Sequence, residues 1–238
     1  MRQIGFSTGA LARSDFLRAL KMMSGKTVNA VELSALRKHE LPNLVALAGK
    51  LDLSQYEYVS VHAPSSFSDA EEKEIVNQLK RLTTYEWPIV LHPDTIHNFD
   101  LWEDFGGLLF IENMDKRKAR GHTIDDLKEV FDKLPRAFLC FDIAHAHQVD
   151  SSMTEAYKIL RSFGSRVRQL HMSELNTDSK HCTISFGSIL AFKKVAHLIP
   201  ESAPAIIESM VEEGDIEREV QVALQALETV KGVLAPAS

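Results

Sequence analysis

The chain has 238 residues, a formal net charge of −6 at pH 7, 45% hydrophobic and 25% charged residues. These are globular proportions, and the sign of the charge is wrong for a phosphate-rich partner. No apolar run approaches the roughly 18 residues that span a bilayer, and Cys140 and Cys182 form no CxxC pair. A membrane span is therefore excluded, no membrane partner is expected, and a reduced setting for the cysteines is the simplest reading. Nucleic acid is disfavoured only, since divalent ions held among the acids would cancel much of the charge.

The N-terminal MRQIGFSTG enters a strand pattern at once, which leaves no room for a signal peptide and points to a reducing, cytoplasmic setting. Eight short apolar or β-branched runs follow in order: residues 3–7, 30–33, 58–62, 88–92, 108–112, 137–142, 167–171 and 205–208. Between them lie amphipathic segments with helix signals. Ser14 is expected to cap a helix over 15–23, and Ser68 with Glu71 forms a capping box for 69–82. Thr123 precedes 124–134, Ser151 or Ser152 precedes 153–163, 187–199 is a further helix, and Asp215 is placed to cap 216–231. The segments after the second and fourth runs are poorer, broken by Pro42 and short at 99–105. The loops are short apart from 172–186.

Alternation of strand and helix eight times over argues for parallel strands joined by crossovers. The run ends at Glu32, His62, His92, Glu112, Asp142, His171 and Glu208 are spaced about thirty residues apart, one βα unit each. The expected fold is a single (β/α)8 TIM barrel over 1–238. A doubly wound sheet is the alternative, but it would usually carry a glycine loop at its switch point, and no GxGxxG or Walker sequence is present.

In such a barrel every strand points its C-terminal end to one face. The last six strands end there on His62, His92, Glu112, Asp142, His171 and Glu208, all metal-ligand types. Taken singly, a histidine at a strand end is more often a hydrogen-bonded structural residue, and an acid caps a helix or pairs with a lysine. Six together on converging strands point to metal. Imidazole with carboxylate suits zinc, manganese or iron, and the lack of thiolates speaks against a structural zinc. Two ions about 3.5–4 Å apart would suit phosphoryl displacement, whereas one ion would suit carbonyl polarisation with proton transfer by a carboxylate. Glu32 either reaches this site or holds neighbouring loops by hydrogen bonds. Lys116, Arg117, Lys118 and Arg120 form a basic run that is either a solvated face or a phosphate grip. His147 is read as a bystander and Cys140 as core.

The motifs VELS (31–34), VHAP (61–64), LHPD (91–94), IEN (111–113), DIAHA (142–146), LHMSE (170–174), His181 followed by FG (186–187), and IIES (206–209) run nearly the whole chain. In this order they resemble the xylose-isomerase-like barrel superfamily, which includes endonuclease IV and many sugar isomerases and epimerases. The endonuclease IV pattern implies that Glu112 bridges two ions, that His62 and His92 complete one site, and that Asp142, His171 and Glu208 complete the other. It implies a third ion on His145 and His181. The aspartate expected beside His181 is Ser179, however, and a lysine, Lys180, intervenes, so the third site is expected to be weak or empty.

The isomerase pattern implies one ion on Glu112, Asp142, His171 and Glu208. Both glutamates would then act as acid and base, with His145 on a substrate oxygen. Ketose epimerases carry a glutamate where Lys118 stands and an arginine where Thr177 stands, so that substrate grip is missing. Glu112, Glu208 and His145 are accordingly the expected catalytic residues, and His145, Lys116 and Lys180 the expected substrate contacts. The expected function is a metal-dependent enzyme with a two-ion core acting on a small phosphorylated sugar or other phosphoester. The alternatives are a single-ion sugar or sugar-phosphate isomerase or epimerase, then an endonuclease at abasic DNA, then a non-catalytic barrel that binds metal or sugar.

Overall fold

The computed structural model describes residues 2–229. Eight parallel strands close into a barrel: β1 (Ile4–Ser7), β2 (Ala30–Ser34), β3 (Tyr58–His62), β4 (Ile89–Leu91), β5 (Leu109–Glu112), β6 (Phe138–Asp142), β7 (Val167–Met172) and, as the eighth barrel strand, β10 (Ala205–Ile207). The loop after β7 carries a two-stranded antiparallel hairpin, β8 (Glu174–Leu175) with β9 (His181–Cys182). Around the barrel run α1 (Thr8–Ala12), α2 (Phe16–Met23), α3 (Leu41–Leu47), α4 (Asp69–Lys80), α5 (Ile124–Lys133), α6 (Ile143–Val149), α7 (Thr154–Phe163), α8 (Phe186–Ala196) and α9 (Ile216–Leu227). No helix among the described residues is long and apolar enough to cross a membrane.

Alternation along the strands sorts the side chains. Val31, Leu33, Val61, Ile89, Leu91, Leu109, Ile111, Leu139, Phe141, Leu170 and Met172 face the helices and join the large outer core. The opposite set faces the lumen, whose apolar floor is Val90, Phe110 and Cys140 with Phe138 against it. A bulge where β6 pairs with β7 skips Arg168, whose guanidinium lies 4.6 Å from the Phe138 ring centre. That slip brings Gln169 opposite Cys140 and His171 opposite Asp142, so both point inward. Gly5 marks the tightest approach, since a Cβ there would lie 1.6 Å from the Ala30 carbonyl oxygen.

Several helix boundaries differ from the sequence expectation. Asp15 rather than Ser14 caps α2, accepting from the Arg18 N–H at 3.0 Å, because Ser14 is held in the left-handed region (φ 69°). The segment DIAHA opens a helix beyond those expected, α6. It starts because the Asp142 carboxylate accepts from the His145 N–H at 2.6 Å. α7 begins at Thr154 after left-handed Met153, and α8 begins at Phe186 because Ser185 caps it by accepting from the Ser188 N–H at 3.2 Å. Asp215 pairs with Arg218 at 3.2 Å instead of capping α9. Positions 230 and 231 of the expected last helix lie outside the described residues.

The connection from β4 to β5 contains only 3-10 turns and no α-helix. Buried Glu72 of α4 replaces the missing scaffold. It accepts from the backbone N–H of His97 (2.9 Å) and of Asn98 (2.9 Å) and from the Trp102 indole N–H (2.8 Å). Glu72→Ala should therefore lower the unfolding free energy by about 2–3 kcal/mol, since three donors lose their acceptor. Urea denaturation checks this, and a loss below about 1 kcal/mol would show that the turns stand without Glu72.

Candidate metal centre

The inward residues nearest the C-terminal rim form one cluster. β3 supplies His62, the residue after β4 supplies His92, β5 supplies Glu112, β6 supplies Asp142, β7 supplies His171, and the residue after β10 supplies Glu208. Three of these, His62, His92 and Glu112, bring ligand atoms within 4.8 Å of one another, and so do the four residues Glu112, Asp142, His171 and Glu208. Glu112 belongs to both groups. Its Oε2 lies 3.2 Å from His62 Nε2 and 3.2 Å from His92 Nε2. Its Oε1 lies 3.1 Å from His171 Nδ1 and 3.3 Å from His145 Nδ1.

Neighbouring bonds fix these atoms. Asn113 clips β5 to β6: its amide donates to the Asp142 carbonyl and its oxygen accepts from the Asp142 N–H, both at 2.8 Å. Asp142 Oδ1 is taken by the α6 cap, while Oδ2 is buried with no hydrogen-bond donor. His62 Nδ1 donates to the Ala63 carbonyl at 2.7 Å, leaving Nε2 toward Glu112. Beneath the cluster, Glu32 Oε2 lies 3.0 Å from His171 Nε2. Glu32 therefore sits under the site and holds a histidine of it.

Four imidazoles around one buried carboxylate, with an orphaned aspartate oxygen beside them, fit divalent cations. The donor set is nitrogen and oxygen only, which suits zinc, manganese or iron in an enzyme site.

Electrostatics follow from burial and mutual charge. Burial works to raise the Glu112 carboxyl, but His171, His62 and His92 outweigh it and hold it well below the usual range. Burial, helped by Glu112 and opposed by the histidines, lifts Asp142 to about 6 and Glu208 to about 7. Against burial, the bond to Glu112 and the charges of Glu32 and Glu112 push His62 up to about 9. His171 is raised well above its ordinary value against the same burial penalty, with Glu32, Glu208 and Glu112 facing it. Burial lowers His92 and brings His181 down to about 3.

A cavity of about 410 Å³ opens over the cluster, lined by His62, His92, Glu112, His145, His181 and Glu208. Its wall also includes Asp115, Arg117, Lys118 and Lys180. Lys116, expected as a substrate contact, is exposed and lies outside this lining; Arg117 and Lys118 of the same run take its place. Arg117 pairs with buried Asp115 at 2.7 Å, and Lys118 donates to Asp94 at 3.0 Å. Arg120 instead turns to the backbone, donating to the Pro93 carbonyl at 3.0 Å and to that of Ile96.

His145 and His181 approach with ring centres 5.8 Å apart, but no group of three ligands forms around them among the described residues. Ser179, at the position where a third ligand is expected, is left-handed (φ 55°) and accepts from Gln148 at 2.7 Å. His147 packs edge-on against Phe192, away from the cluster. Asp115, Gln169 and Tyr58 are participants that sequence reasoning does not single out for the site. The last two share the two-residue phase of His171 and His62, and that phase is the signal that finds them.

The family model described as xylose isomerase-like TIM barrel matches residues 97–230. The chain belongs to that family. Its fold is similar to endonuclease IV from Thermus thermophilus, with 15% identity, TM-score 0.62, and coverage of 94% of this chain and 98% of that one. It is also similar to 3-keto-D-glucoside 4-epimerase from E. coli, with 10% identity, TM-score 0.59, and coverage of 94% and 99%. A third similar structure is a xylose isomerase-like TIM barrel protein from Mycobacterium smegmatis in complex with magnesium, with 11% identity, TM-score 0.59, and coverage of 96% and 98%. No curated protein matches by sequence. The family is one of metal-dependent enzymes, isomerases and epimerases as well as endonuclease IV.

Metal ligands must be deprotonated, whereas the surrounding carboxylates raise His62 and His171 and burial raises Glu208 to about 7. Adding zinc or manganese to metal-free protein at pH 7 should release protons, with affinity climbing from pH 6 to pH 9 as Asp142 (about 6), Glu208 (about 7) and His62 (about 9) lose theirs. Calorimetry in buffers of different ionisation enthalpy measures the release. Affinity that stays flat over that range would contradict the charge assignments.

Proposed function

We propose that the protein is a divalent-metal-dependent enzyme with a two-ion core that acts on a small phosphorylated sugar or another phosphoester. One observation carries the reading. The two oxygens of Glu112 face different ligand groups, Oε2 toward His62 and His92 and Oε1 toward His171. A single-ion site does not need His62 and His92.

His62, His92 and Glu112 would hold one ion, and Glu112, Asp142, His171 and Glu208 the other. Such ions, when bound, would supply Lewis acidity and a nucleophilic water at neutral pH. The remaining work falls to side chains of the cavity wall. Arg117, Lys118 and Lys180 approach from the loops after β5 and β7 and suit an anionic group held over an acidic floor. Met114 and Leu36 supply apolar wall. A cavity of about 410 Å³ suits a small molecule. Together with the charge of −6, its size speaks against duplex DNA.

A single-ion sugar or sugar-phosphate isomerase or epimerase is the second reading. It is favoured by the completeness of the group of four and by Glu208, which near pH 7 is poised to give and take a proton. The sugar epimerase similarity supports it as well.

Protein purified without chelator should contain about two equivalents of metal. Glu112→Gln should lose more metal than His62→Ala, because it serves both groups. Equal or smaller loss would remove the bridging role, and one equivalent with His62→Ala unchanged would favour the isomerase. Metal-dependent phosphate release from sugar phosphates is the expected activity. Lys118→Ala should raise KM for such substrates about tenfold, the worth of a charge-assisted hydrogen bond. Exchange of a sugar C–H in deuterated water, without phosphate release, would establish the second reading instead. Metal-dependent nicking of an abasic oligonucleotide would establish a DNA substrate.

A further inference from the structure

The lumen below the cluster contains a second network that the proposed chemistry does not use. Glu32 of β2 is fully buried, and its hydrogen bonds converge on one oxygen. Oε2 accepts from Gln169 Nε2 at 2.7 Å and from Ser60 Oγ at 3.2 Å, and His171 Nε2 lies 3.0 Å away. Oε1 has no partner among the described residues. Tyr58 donates its phenol proton to Gln169 Oε1 at 2.6 Å, which fixes the Gln169 amide with its NH2 toward Glu32.

Two proton placements on His171 therefore compete. Gln169 Nε2 lies 2.9 Å from His171 Nε2 and could donate to it if that nitrogen were bare. Nδ1 would then carry the proton toward Glu112, where a metal ligand needs a lone pair. In the other placement, Nε2–H donates to Glu32 and Nδ1 is left free to bind. The charged carboxylate decides, because a charge-assisted bond is about twice as strong as a neutral one.

Glu32, His62 and His171 also bring ligand atoms within 4.8 Å of one another. An ion among them is disfavoured, because the Gln169 NH2, a donor, already lies against both Glu32 Oε2 (2.7 Å) and His171 Nε2 (2.9 Å).

We propose that Glu32 is a positioning residue that fixes the His171 tautomer, holding the proton on Nε2 so that Nδ1 binds the ion shared with Asp142 and Glu208. The proposal rests on the metal reading above. Its reach extends across the barrel: Tyr58 on β3 orients Gln169 on β7, Gln169 steadies Glu32 on β2, and Glu32 orients His171 on β7. A carboxylate behind a ligating histidine raises its basicity and holds its ring, and loss of such a partner weakens metal binding 10- to 100-fold.

Two measurements test it. In zinc-loaded protein labelled with 15N-histidine, His171 should show a slowly exchanging proton on Nε2 and metal on Nδ1; metal on Nε2, or a proton on Nδ1, overturns the proposal. Glu32→Gln should weaken zinc binding about 10- to 100-fold for one ion while sparing the ion of His62 and His92. Thermal stability of the metal-free variant should change far less than its zinc affinity. A variant that takes up both ions as tightly as wild type overturns this inference alone. Wild-type protein that takes up no ion overturns the metal reading and this inference with it. The 15N measurement uses wild type, so a Glu32→Gln protein that fails to fold leaves it decisive.

Discussion

In a closed parallel barrel, alternate residues of every strand share one narrow lumen, and each polar group sent there must find its partner inside it. This constraint organises the molecule. Within the lumen, Val90, Phe110 and Cys140 form an apolar plug. Tyr58, Ser60, Gln169 and Glu32 form a hydrogen-bonded network beside it, and this network adjoins the histidines and acids of the cluster through Glu32 and His171. The β7 bulge belongs to the same logic. Without the slip at Arg168, Gln169 and His171 would face the helices, and the polar network and one histidine of the cluster would be lost together.

Glu112 is where the constraint bears hardest. Several imidazoles lie within 3.3 Å of its two oxygens, at the buried base of the cavity. Their combined pull overcomes the burial cost of its charge, while Asp142 and Glu208, placed farther from the histidines, are left raised to about 6 and about 7. An array of this kind is a poor way to stabilise a fold, since buried charges cost more than well-packed apolar side chains. Its buried histidines and acids are consistent with divalent-metal binding, which would offset their charges. The barrel bears that cost elsewhere, through the continuous apolar layer between strands and helices.

Much of this was readable along the chain. The spacing of the apolar runs and the identity of the last residue in each announced a parallel barrel with a polar rim. Both are properties of short segments and hold whatever the neighbours are. Helix starts were less legible. Ser14 and Asp15 are both capping residues, and only the left-handed backbone at Ser14 selects between them. α6 escaped notice because Asp142 reads as a ligand from sequence and acts as a cap through its other oxygen. Among the basic residues after β5, sequence alone does not separate Lys116 from Lys118. Which of them reaches the cavity depends on how the loop turns between Asp115 and Asp94.

The sequence by itself determined the family, the barrel and the residue types at the rim, because a strand's period and its terminal residue are local. The tertiary structure decided which imidazoles share Glu112, which oxygen of Asp142 is left over, and that Glu32 lies against His171 Nε2. Those depend on strand register around a closed ring, where a shift of one residue on one strand turns a side chain from the lumen to the helices. No single segment contains that information.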